Sequence, residues 1–264
     1  INIPLNYFLI FKLDLGISGA AIASSLAEMG SLVVLCIYTR AKIDKVKYGL
    51  KPVYDGRLLI KVLNLSVWSM LHAFISVAPW FLFFVAIEHL GKTELAISNI
   101  TRSVSAIFFV IANSFAVTTG SLVSNAIGAR ARNELFPICH KVLKLGYAVG
   151  IPFVVVALLC NRWIVSFYTD NELLIELAFA PFVVMLLNYT FALPGYVYLN
   201  AVGGTGKTKI TFLFQVTTTC AYLVYLYWLS FCIKASLSLY LTAEYLFVIL
   251  LALQSIIYLK SKHY

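Results

Sequence analysis

The hydrophobic positions of this chain come in long runs. Residues 1–12 (INIPLNYFLIFK) are apolar over half a membrane span, and residues 17–39 (ISGAAIASSLAEMGSLVVLCIYT) over a full one. Residues 40–61 (RAKIDKVKYGLKPVYDGRLLIK) are polar and basic. Six more apolar segments follow, at 62–87, 95–126, 146–168, 174–202, 210–233 and 240–259. A membrane helix needs roughly 20 apolar residues, whereas a barrel strand needs about 10 with in–out alternation. The runs have the first length and lack the second pattern, so they predict seven full helical spans plus a half span. The runs at 95–126 and 174–202 exceed what a bilayer requires and predict tilted, kinked or projecting helices.

The expected fold class is therefore all-α, a polytopic membrane helical bundle. The chain opens on Ile1 inside an apolar run, which predicts that it starts part-way through a longer protein. The polar stretch divides the chain. Residues 1–40 read as the last one and a half helices of a first lobe, 41–61 as a basic linker, and 62–264 as a complete six-helix second lobe.

Composition narrows the function classes. Of 264 residues, 61% are hydrophobic and 12% charged, with a mean hydropathy of +0.91. Soluble domains are about 45–50% apolar and about 25% charged. So little charge cannot cover a soluble surface, which excludes a soluble enzyme, a disordered chain and a disulfide scaffold. The five cysteines (Cys36, Cys139, Cys160, Cys220, Cys232) are scattered without a Cys-x-x-Cys pair, and three of them sit in apolar runs and read as small core residues. No metal-ligand set and no cofactor motif is expected.

The net charge of +9 is organised. Arg40, Lys42, Lys45, Lys47, Lys51, Arg57 and Lys61 crowd the linker. Two spans later come Arg130, Arg132, Lys141 and Lys144, then Lys207 and Lys209, then Lys260 and Lys262. The alternate connections hold Lys12, Lys92, Arg162 and Lys234 against Asp14, Glu88, Glu94, Asp170, Glu172 and Glu176. Basic loops mark the cytoplasmic side. This predicts that loops 40–61, 128–145 and 203–209 and the C-terminus are cytoplasmic, in a plasma membrane of the bacterial inner-membrane type. A nucleic-acid surface would not alternate with the spans, so the lipid bilayer is the expected partner and nucleic acid is not.

Polar side chains within the spans are costly in hydrocarbon and are candidate functional groups. Glu28 lies mid-span behind a small-residue face of Gly19, Ala20, Ala21, Ala23, Ser24 and Ser25. It is the candidate coupling carboxylate, able to carry a proton or meet a cation; its structural alternative is a hydrogen bond across helices or a pairing with Arg102. Glu244 is its one competitor, about four residues into the last predicted span. At 100° per residue, Asn99, Arg102, Ala106 and Asn113 fall within about 60° of one another, a stripe expected to face the protein interior. Asn64, Trp68, His72 and Ser76 recur at four-residue intervals, and Pro79 then interrupts the helix ladder. Asn188 and Tyr189 precede a predicted break at Pro194-Gly195. Aromatic rings among polar groups suit an organic cation, while Tyr196 and Tyr198 read as interface anchors. The run from Ala201 to Thr208 (AVGGTGKT) fits a relaxed phosphate-loop pattern, but spans on both sides make it a tight Gly-rich turn.

Several stretches together resemble the MATE (multidrug and toxic compound extrusion) transporter family. They are PLNYFLIF with LGISGAAIASSLAE at 4–28, FFVAIEHLGKTELAISNI at 83–100, SLVSNAIGARAR at 121–132 and NAVGGTGKTK at 200–209. The resemblance implies helices five to twelve of a twelve-helix, two-lobed antiporter, most of whose first lobe is missing from this sequence. It also implies no cofactor, H⁺ or Na⁺ as coupling ion, and a small amphipathic or cationic organic substrate. Many family members carry acids midway in the seventh and tenth helices. The matching positions here, near Ser76 and Leu193, have none, so that cation site does not transfer. The expected function is multidrug or organic-cation efflux by H⁺ or Na⁺ antiport with alternating access. The alternatives are a lipid-linked saccharide flippase of the same superfamily and a non-transporting membrane receptor or scaffold.

Overall fold

The structure, a computed structural model, describes residues 2–44, 54–233 and 235–261. The chain divides into two compact units, Ile1–Leu58 and Leu59–Tyr264.

In the first unit, α1 (Asn2–Tyr7) continues into a π-helical turn (Phe8–Lys12), and both pack on α2 (Gly16–Lys42). The connection turns through left-handed backbone at Asp14 (φ 52°) and Gly16 (φ 50°). Of the small-residue face, Gly19 and Ala23 are buried. A Cβ at Gly19 would stand 2.9 Å from the Leu9 carbonyl oxygen, so the bare Cα is what lets the two backbones meet. Arg40 and Lys42 sit in the last turn of α2, where cations complement the helix dipole. The predicted linker is thus shorter than its polar stretch. Residues 40–42 belong to α2, and 56–61 open the next helix behind Asp55, whose carboxylate accepts from the Arg57 and Leu58 amides at 2.9 and 3.1 Å. Residues 45–53, with Lys45, Lys47 and Lys51, lie outside the described residues, as do Lys234 and Lys262.

The second unit takes in α3 (Gly56–Glu88), whose first turn crosses the boundary. It continues through α4 (Lys92–Gly128), α5 (Leu135–Leu159), α6 (Asn161–Ser166), α7 (Glu172–Leu187), α8 (Tyr189–Gly204), α9 (Thr208–Trp228) and α10 (Leu237–Lys260). With α7 and α8 taken as one run, seven described helical segments are long and apolar enough to cross a membrane, six of them in this unit apart from that first turn. Their outward faces carry side chains such as Ile107, Val110 and Phe153, each more than half exposed, which only a lipid environment would solvate favourably.

Helix α8 is the hub, packing chiefly on α4 and α10. Its buried face is mostly small or slender: Ala192, Gly195, Val197, Ala201 and Val202. Lipid supplies no hydrophobic drive between helices, so close backbone approach must hold them. A Cβ at Gly195 would stand 2.7 Å from the Val248 carbonyl oxygen on α10, and one at Gly150 would fall 2.1 Å from the Tyr189 hydroxyl.

Three expectations need correction. The segment 128–145 is not a loop: after a short 3₁₀ turn (Arg132–Glu134), α5 starts at Leu135. Leu135, Cys139, Val142 and Gly146 are buried while His140, Lys141 and Lys144 are exposed, so an amphipathic helix runs on past the apolar stretch. That span accordingly ends at Leu159 and not at 168. Second, the helix does not break at Pro194-Gly195 but six residues earlier, at Asn188. Proline 194 has no N–H for the Thr190 carbonyl, and the Tyr147 hydroxyl donates to that oxygen at 2.7 Å instead. The Thr190 hydroxyl donates to the Leu187 carbonyl at 2.8 Å, and the Tyr245 hydroxyl donates to the Val184 carbonyl. Side chains from α5 and α10 thereby satisfy the interrupted ladder. Third, Cys139 alone among the cysteines is buried; the other four are exposed, because an apolar run does not separate a core face from a lipid face.

Candidate functional site: a cavity around a buried ion pair

Arg102 projects from the third turn of α4 into the second unit and is almost wholly buried. A guanidinium there requires a countercharge. It is Glu244 on α10: Arg102 Nη2 donates to Glu244 Oε1 at 2.6 Å, with side-chain exposures of 3% and 16%. The Tyr222 hydroxyl on α9 donates to the same oxygen at 3.3 Å. The guanidinium also lies against aromatic rings of α3, its central carbon 3.9 Å from the Phe83 centroid, 5.3 Å from Phe84 and 5.6 Å from Trp80. Four helices thus converge on one cation.

Beside this pair lies a cavity of about 410 Å³. Ser76 and Trp80 of α3 line one side; Ala106, Phe108, Phe109 and Ala112 of α4 line another. Asn188, Tyr189 and Tyr196 come from the α7–α8 junction and α8, and Glu244 and Phe247 from α10. The Phe109–Tyr196 and Phe108–Tyr189 rings meet edge to face at 5.6 and 6.2 Å, which sets their orientation. Tyr189 is fixed further by its hydroxyl, which donates to the Gly146 carbonyl at 2.8 Å through the gap left by Gly150. The lining is mainly aromatic and aliphatic with a few polar groups, the composition of a site for a small organic molecule.

The sequence candidates separate. Ser76, Arg102, Asn188 and Tyr189 reach the cavity. Trp68 does not: it packs on Phe212 at 5.4 Å, with the Lys209 ammonium 5.3 Å from its ring. His72 lines a second, hydroxyl-rich pocket of about 340 Å³ with Ser69, Ser121, Ser124, Asn200 and Thr211. Asn64 is exposed one turn from Trp68, and Asn99 and Asn113 are exposed on α4. The α4 stripe therefore divides, with Arg102 and Ala106 turned to the cavity side and the two asparagines to the outside. Glu28 is exposed at the middle of α2.

Two groups stand elsewhere than the sequence places them. Glu244, expected about four residues into the last span, stands two turns inside α10, because that helix starts at Leu237, earlier than the apolar run. Its signal was charge matching, since an intramembrane arginine needs an acid and few are available. Tyr196 and Tyr198 are not interface anchors. Tyr196 lines the cavity, and Tyr198 is buried against Phe136 at 6.4 Å, both in the interior of α8.

Known proteins were compared with this arrangement. A family model, MatE, matches residues 69–228, well over half of the chain. The chain belongs to the MatE family. The match takes in most of the cavity wall, from Ser76 to Tyr196, and stops before Glu244. Among curated relatives, Protein DETOXIFICATION 48 of Arabidopsis thaliana is 26% identical over 186 residues, 66% of this chain and 34% of its own length. Multidrug and toxin extrusion protein 1 of Oryctolagus cuniculus is 23% identical over 184 residues, 67% of this chain and 31% of its own. The chain spans about a third of the length of these relatives. Among solved structures, the outward-facing conformation of a multidrug resistance MATE family transporter of the MOP superfamily superposes with a TM-score of 0.86 at 18% identity, covering 99% of this chain and 59% of that one. The fold is that of a MATE transporter.

Proposed function

We propose that this MatE-family chain is the second-lobe part of a secondary-active exporter that moves amphipathic organic compounds, organic cations among them, across a plasma membrane of the bacterial inner-membrane type. H⁺ or Na⁺ would drive the antiport, with two bundles alternating access to a central site. The supporting observation is the cavity: about 410 Å³, walled by Trp80, Phe108, Phe109, Tyr189, Tyr196 and Phe247, inside a bundle of six spans. Such a lining binds by apolar contact and ring stacking, which tolerate many ligand shapes and suit a broad substrate range. A lipid-linked saccharide carries several charged phosphate oxygens and needs more than one cation to meet them. Among the described residues Arg102 is the single basic one on this wall, and Glu244 engages it.

For coupling, Glu28 remains the proposed carboxylate. It lies at the middle of an apolar helix, whereas Glu244 already serves as the counterion of Arg102. The first lobe of the same protein would complete the transport path as its partner.

The test uses the full-length natural protein in cells lacking their own exporters. Energised cells should expel a fluorescent amphipathic dye, and collapse of the ion gradients should stop them. Tyr196→Ala with Phe109→Ala should reduce the rate severalfold at unchanged expression. Dye efflux that persists without any ion gradient would contradict the antiport reading.

A further inference from the structure

The Arg102–Glu244 pair leaves the cavity wall with little net charge. A cationic ligand has two sources of attraction in such a site, a carboxylate and the faces of aromatic rings. Both are already taken near Glu244. The Arg102 guanidinium holds Glu244 Oε1 at 2.6 Å, and the Tyr222 hydroxyl approaches the same atom at 3.3 Å. The same guanidinium covers Phe83 at 3.9 Å and lies within 5.3 and 5.6 Å of Phe84 and Trp80. A second cation entering here would meet no free countercharge and would stand close to a like charge in a site of low dielectric. The guanidinium's ring contacts are on α3; Phe108, Phe109, Tyr189 and Tyr196 of α4 and α8 line the same cavity, meet one another edge to face, and present edges and faces that suit an uncharged ring system.

We propose that Arg102 is a specificity-determining residue. By masking Glu244 and occupying the α3 rings, it makes this cavity select uncharged aromatic compounds over permanently cationic ones of the same shape. The inference rests on the exporter reading and narrows its substrate class. A cavity of about 410 Å³ has room for a three-ring aromatic.

The test compares acridine with N-methylacridinium, two fluorescent ligands that differ essentially in charge at mildly alkaline pH. Binding is measured on the full-length protein in detergent, and export in proteoliposomes. Wild type should bind acridine more tightly. Arg102→Gln unmasks Glu244 and should move the ratio of dissociation constants by about tenfold or more toward the cation. Glu244→Gln leaves the guanidinium unanswered and should move the ratio the other way. The double variant, with neither charge, should fall between wild type and Arg102→Gln. If Arg102→Gln does not fold, the other two variants carry the same comparison. A wild type that prefers N-methylacridinium, or a ratio that the variants leave unmoved, overturns the proposal while leaving the exporter reading intact. Selective binding without export overturns the exporter reading and leaves the assignment of Arg102 standing. A wild type that binds neither ligand overturns both.

Discussion

The Tyr147 hydroxyl donates to the Thr190 carbonyl at 2.7 Å, the oxygen that Pro194 leaves without a helical partner. The bond ties α5 to the start of α8, where the helix is interrupted and where Asn188 and Tyr189 meet the cavity. A phenylalanine would keep the ring and orphan the carbonyl. We expect Tyr147→Phe to destabilise the protein by about 1–3 kcal/mol, the range for an unsatisfied buried acceptor. Thermal unfolding in detergent measures it, with exposed Lys141→Ala as a control that should change little.

Helix contacts in the second unit depend on missing side chains. At Gly195 an added Cβ would stand 2.7 Å from the Val248 carbonyl, a backbone atom that cannot rotate away. Gly195→Ala should therefore separate α8 from α10, at a cost of about 1–3 kcal/mol. Gly128→Ala meets nothing within 4 Å and should be tolerated. The two variants can be compared by their melting temperatures, and equal losses would argue against the close-packing account.

The spans were legible because about 20 apolar residues in a row have one inexpensive fate in water-rich surroundings. Their ends were less so. Hydropathy falls at Lys141 and Lys144, yet the helix is already formed there, with Cys139 and Val142 on its buried face. Helices stop where capping and packing stop them, and not where the bilayer ends. The site was legible only in its polar members. Arg102, Ser76, Asn188 and Tyr189 stood out against apolar runs. Phe108 and Phe109 did not, because a ring facing a cavity, a core or lipid looks the same in sequence. Asn99 and Asn113 share a stripe with Arg102 but are exposed, since helical phase relates residues to one another without saying which neighbour they meet. The pairing of Arg102 with Glu244, 142 residues on, is a tertiary fact.

Sidedness has a direct test. Asn171, which caps α7 by accepting from the Leu173 amide at 3.0 Å, stands in an acidic connection. Lys207 precedes α9 in a basic one. In a cysteine-free background, Asn171→Cys should react with an impermeant maleimide added outside intact cells, and Lys207→Cys only after permeabilisation. The reverse pattern would invert the proposed topology.

Glu28→Gln removes charge and preserves shape at the proposed coupling position. In the full-length protein, ion-driven export should be lost while ligand affinity and melting temperature stay near wild type. Retained, gradient-dependent export would place coupling elsewhere. Loss of folding would instead mark Glu28 as a structural hydrogen-bond partner.

The central claim is that this cavity belongs to a transporter powered by an ion gradient. The full-length protein in sealed proteoliposomes, with acridine as substrate, tests it most directly when a pH gradient or a Na⁺ gradient is imposed in turn. Beyond the passive redistribution of this weak base in protein-free vesicles under the same gradient, acridine should move uphill under at least one gradient, reverse when that gradient is reversed, and move severalfold more slowly in the Tyr196→Ala, Phe109→Ala variant. Acridine that only equilibrates, at the same rate with and without either gradient, would contradict the claim.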